Sequence, residues 1–99
     1  MPEDVDVKSM KQLMPPWTSI PKEFRDFNSR SPWVKLVDTR FFNGLPDNAR
    51  FVPKAGIDPH KALRHVTTIL RSVEPKHEHK TATCAYLLSL WFESVEFPA

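Results

Sequence analysis

Ten prolines and only two glycines are spread through this 99-residue chain. Proline fixes φ and removes a backbone donor, so helices start at it and do not run through it. The chain therefore reads as a series of short segments between proline boundaries. Residues 1–16 are polar with no period, an arm or extended strap closed by Pro15 and Pro16. From Ser19 the spacing predicts a short helix with Pro21 in its first turn and Ile20, Phe24 and Phe27 on one side. Ser31-Pro32 repeats the start signal, and the helix it opens is expected to run to about Asn43, with Gly44 as its stop. Trp33, Val34, Val37 and Phe41 share one face of it, whereas Leu36 and Phe42 fall outside and suggest burial on a second side.

Residues 45–58 lack a helical period and are punctuated by Pro46, Pro53 and Gly56, a loop with room for a short extended piece at Arg50–Val52. Asp58-Pro59 then opens the clearest helix. Ala62, Leu63, Val66, Ile69, Leu70 and Val73 form a full amphipathic stripe, and Lys61, Arg64, Thr68 and Arg71 fall opposite. Glu74-Pro75 ends it. A third main helix is expected from near Pro75 to about Val95, with Cys84, Leu87, Leu88, Trp91 and Val95 on its apolar face and Glu78, Ser89, Glu93 and Glu96 on the other side. The tight joint between these two helices implies an antiparallel pair. The fold expected is all-α: three main helices plus one short N-terminal helix, in one helical domain over residues 17–99 behind the arm.

Composition narrows the setting. Apolar residues make up 40% and aromatics 11%, enough for a core. A single cysteine excludes an intrachain disulfide scaffold. Glu3, Asp4 and Asp6 near the start leave no signal-peptide pattern, and Ser89 interrupts the longest apolar stretch well short of a membrane span. The expectation is a cytoplasmic soluble protein with no membrane role. A net charge of +2 is too small to argue for nucleic acid unaided.

All four histidines and five of the fourteen Lys and Arg residues lie between Asp58 and Lys80, so any site belongs there. His77, Glu78, His79 and Cys84 are ligand types that zinc accepts. On a helix, however, residues two apart diverge by about 200°, so His77 and His79 cannot share an ion. His77 and Cys84 do share a face, and a third ligand would have to be His60 or His65. No paired metal spacing supports this, and the plainer reading is a solvated first turn followed by a buried Cys84. Cys84 in Thr-Ala-Thr-Cys-Ala-Tyr-Leu-Leu also reads as a core thiol rather than a nucleophile. No cofactor and no enzymatic activity are expected.

Two recognition surfaces remain. The first is a basic face of Lys61, Arg64 and Arg71, joined by the turn carrying Lys76, His77, His79 and Lys80. Such a face suits an acidic partner surface or a phosphate backbone, and its plainer reading is a solvated helix side. The second is an aromatic surplus: Tyr86, Leu90 and Phe97 fall on a side distinct from the Cys84–Trp91 face. Two coverings fit equally: self-association into a homo-oligomer, or intrachain cover by the arm through Leu13, Met14 and Trp17.

The run Pro75-Lys-His-Glu-His-Lys80 with Cys84-Ala-Tyr-Leu-Leu and Trp91-Phe-Glu, together with Pro16–Phe24 and Phe41-Phe-Asn-Gly-Leu45, resembles small uncharacterised accessory proteins of tailed bacteriophages. The resemblance covers most of the chain and carries no catalytic or binding residues with it. It implies an infected bacterial cytoplasm and a small protein that binds or inhibits a host protein. The expectation is a non-enzymatic interaction protein, with a nucleic-acid or nucleotide-phosphate binder on the basic face of residues 60–80 as the alternative.

Overall fold

The computed structural model describes residues 14–26, 31–40, 49–72 and 77–97. A 3-10 turn at Trp17–Ser19 leads into the one-turn helix α1 (Lys22–Arg25), followed by α2 (Pro32–Arg40), strand β1 (Arg50–Pro53), α3 (Pro59–Arg71), α4 (His77–Trp91) and strand β2 (Phe92–Glu96). The all-α expectation is therefore corrected. The fold is mixed α/β, helix-dominated, with a two-stranded antiparallel sheet. The expected contributions of Phe27, Phe41, Phe42, Gly44, Val73 and the Glu74-Pro75 joint lie outside the described residues, as do residues 1–13 of the arm.

Helix α3 forms where its sequence signals meet. The Asp58 Oδ1 accepts from the His60 amide at 3.0 Å and the Lys61 amide at 3.4 Å, filling two orphan donors of the first turn, and Pro59 supplies a preset φ. Ala62, Val66 and Ile69 are buried, and Leu63 and Leu70 pack beside them. Thr67 and Thr68 return their hydroxyls to the Leu63 and Arg64 carbonyls at 2.7 and 2.9 Å, so neither disturbs the packing face.

Helix α4 is the centre of the molecule. Thr81, Ala82, Thr83, Cys84 and Ala85 are buried in succession, which on a helix means burial on every side. Helices α1, α2 and α3 all pack against it. Their buried side chains (Ile20 and Phe24 from the first turns, Val34 and Val37 from α2, Val66 and Ile69 from α3) form one cluster with Leu87, Leu88 and Phe92. Each fully buried aliphatic or aromatic side chain contributes about 1.5–3 kcal/mol over its exposed state. The small residues of α4 let its neighbours approach closely. α3 lies antiparallel to it: Leu70 meets Lys80, Val66 meets Cys84, and His65 meets Trp91.

The helix stops at Trp91, and Phe92 turns directly into β2 rather than continuing to Val95. β2 pairs with β1 as Arg50↔Glu96, Phe51↔Val95 and Val52↔Ser94, then skips to Pro53↔Phe92. Glu93 is thus the extra residue of a bulge. The Phe51 and Phe92 rings meet edge-on at 5.2 Å, anchoring the sheet to the core. Arg50 and Glu96 make a cross-strand ion pair, but with 73% and 58% of their side chains exposed it adds at most about 1 kcal/mol. Beyond β1, the Lys54 amide bonds to the Trp91 carbonyl at 2.8 Å and the Ile57 amide to the Lys54 carbonyl at 3.2 Å. Gly56, at φ 82°, supplies the left-handed position that this turn needs.

This arrangement separates two neighbouring leucines. Leu88 is fully buried whereas Leu90 is 45% exposed. Leu88→Ala is expected to cost about 2–5 kcal/mol, and Leu90→Ala under about 0.5 kcal/mol. Urea denaturation of the two variants beside the parent checks the difference.

Candidate recognition site

Lys61, Arg64 and Arg71 stand exposed along the outer face of α3, because the opposite face is locked into the core. None of the three has an ion-pair partner among the described residues. His60 is exposed beside them. Lys80 behaves differently. It is half-buried, and its Nζ donates to the Leu70 carbonyl at 3.2 Å. That carbonyl belongs to the last turn of α3, where a cation satisfies an orphan acceptor and complements the helix dipole. Lys80 thus ties α4 to α3. Lys76 and the His77 side chain lie outside the described residues.

The remaining histidines part company. His79 is half-buried and packs edge-on against Trp17, ring centroids 4.8 Å apart. Its ring hydrogen-bonds to the Pro15 backbone, which offers only a carbonyl, while Nε2 is buried with no partner among the described residues. Burial lowers the His79 pKa, and the Pro15 bond opposes this only in part. His65 instead packs against Trp91 at 5.4 Å. No group of three or more His, Cys, Asp or Glu side chains suited to a metal forms among the described residues. Cys84 is fully buried, its Sγ 4.0 Å from the Val66 carbonyl. Burial pushes its thiol up to about 12, against a weaker opposing pull from Lys80, so the thiolate that a nucleophile requires is suppressed at neutral pH.

The aromatic residues are mostly covered by their own chain. Tyr86 meets Phe24 at 5.4 Å, Trp17 meets His79, and Phe97 packs against the core. Met14 and Trp17 join that packing from the N-terminal side. Of Trp17, Tyr86, Leu90 and Phe97, only Leu90 is exposed.

The structure also places a pocket that sequence reasoning missed. About 260 Å³ in volume, it lies between the Gly56 turn, the first two turns of α3 and the end of α4, and is lined by Gly56, Ile57, Asp58, Lys61, Ala62, His65 and Trp91. Lys61 belongs both to this lining and to the basic face. The one sequence signal for it was the Gly56-Ile-Asp58 approach to a helix start; the arrival of Trp91 depends on the helix ending there. No protein-family model matches the chain, and neither the curated proteins nor the solved structures contain a significant match.

Two measurements follow from the buried groups. Above the usual imidazole value of 6.5, His79 is neutral whether the chain is folded or unfolded, and its contribution to stability is intact. As pH falls below 6.5 the unfolded chain takes up a proton that the folded chain resists; stability declines until pH drops below the lowered folded value. Urea midpoints at about pH 7.5 and 5.5 should therefore fall less in His79→Gln than in the parent. A thiol reagent at neutral pH should label Cys84 no faster than the chain opens, with full labelling only in denaturant.

Proposed function

We propose that this chain is a small non-enzymatic interaction protein, of the bacteriophage accessory kind, that docks on an acidic surface of a host protein through Lys61, Arg64 and Arg71. The observation that supports this most is the state of those three side chains: exposed, without ion-pair partners among the described residues, and carried by a helix whose other face is held in the core. Cations on a rigid element lose little backbone freedom on binding, and their unpaired charge steers an acidic partner toward the face. The groups with nucleophilic or ligand chemistry point the other way. Cys84 is buried with its thiol held uncharged, and His79 is committed to Trp17 and Pro15.

The test is affinity capture from bacterial lysate followed by mass spectrometry, with the parent beside a Lys61→Glu, Arg64→Glu, Arg71→Glu triple variant. The parent should retain a protein with an acidic surface. The variant should lose it while keeping its helical circular dichroism and a urea midpoint close to the parent's, since the substitutions touch only exposed positions. Capture that survives the charge reversal overturns the reading. Capture abolished by nuclease and falling steeply with salt would move the same face to a phosphate backbone.

A further inference from the structure

We propose that the pocket beside Lys61 receives a single apolar side chain, best an aromatic one, from an acidic segment of the docked protein; this rests on the docking reading above. Lys61 joins the two surfaces. It lines the pocket with His65, one helical turn further on, and it lies one turn from Arg64 on the basic face. A segment whose carboxylates meet Lys61 and Arg64 therefore passes the pocket mouth.

The pocket's size and walls select the occupant. It is an open cleft of about 260 Å³, below the roughly 300–1,000 Å³ of sites that enclose a small molecule or cofactor, with room for one side chain laid against its walls. Ile57, Ala62 and Trp91 give it apolar walls, and the His65 ring lies tilted by 54° against Trp91. An aromatic guest can meet the Trp91 ring edge-to-face. Asp58 also lines the site, but its Oδ1 already accepts from the His60 and Lys61 amides. Partner carboxylates accordingly belong on the Lys61–Arg64 side. The site is also preformed. The Lys54 amide to Trp91 carbonyl bond fixes the turn against the end of α4, so binding need not order the walls. One apolar anchor in a cleft beside a charged rim is the common anatomy of a hot spot.

The experiment uses the full chain and three fluorescein-labelled pentapeptides, read by fluorescence polarisation: an acidic one with a central phenylalanine, the same peptide with central alanine, and a neutral Ser/Gly peptide with central phenylalanine. The acidic phenylalanine peptide should bind about tenfold or more tighter than the alanine peptide, because the buried ring removes apolar surface from water. It should also outcompete the neutral peptide, and Lys61→Glu should weaken both acidic peptides. In nitrogen-15 correlation spectra, the Trp91 indole resonance, assigned through Trp91→Phe, should shift with the phenylalanine peptide and not with the alanine one. Equal binding of the two acidic peptides with Trp91 unmoved overturns the pocket and leaves the docking face standing. Equal binding of the acidic and neutral phenylalanine peptides, with Lys61→Glu without effect, overturns the charged rim. Absence of binding by either acidic peptide overturns the pocket, while capture with the triple variant decides the docking face separately.

Discussion

The described elements are arranged around a helix that has no outside over five consecutive residues. From Thr81 to Ala85 each residue of α4 is buried, and α1, α2 and α3 take separate sides of it. Such a helix must be apolar or small all round, and must find a partner for what polarity remains. Thr81, Ala82, Thr83, Cys84 and Ala85 meet the size condition. The polar condition is met less completely, since the Thr83 hydroxyl has no hydrogen-bond partner among the described residues. The compensation is close approach. Small residues on the central helix let the larger ones of α1, α2 and α3 interlock over it.

This geometry decides which cations stay exposed. Where α4 is enclosed its neighbours supply the surface, and the outer side of α3 carries exposed Lys61, Arg64 and Arg71. Lys61, Arg64 and Arg71 stay in water because Ala62, Val66 and Ile69 cannot. Lys80, on the central helix, is instead drawn to the exposed carbonyl of Leu70 and secures the α3–α4 contact. The four basic residues thus differ in setting: Lys61, Arg64 and Arg71 face solvent, and Lys80 faces a helix end.

The parts legible in the sequence were those set by local spacing. The α3 stripe, its Asp58 cap and the opposing cations follow from the helical repeat alone. Strand β2 did not. Its bulge at Glu93 exposes Glu93 and Ser94 in succession, so Phe92 and Val95 are three apart rather than two. That is helical spacing, and it continues the stripe of α4 without a break. The partner strand lies some forty residues earlier, beyond the reach of any window. The histidine run separates by helical rotation, as its spacing implies, but the ring partners do not follow from spacing: His65 packs on Trp91 and His79 on Trp17. The pocket was hidden for the same reason as β2, since Trp91 reaches it only where α4 ends.

The direct passage from α4 into β2 has a kinetic side. The α3–α4 pair joins segments close in sequence, whereas the sheet joins segments that enclose both helices in sequence. Loop entropy therefore places the helix pair early in folding and the sheet late. Phe51, Phe92 and the following Phe97 hold the sheet to the core while its other residues are half-buried or exposed, the pattern of an element that opens at low expense in the native state. The sheet acts as a clasp: the last element to shut, and the first to report strain placed on the central helix.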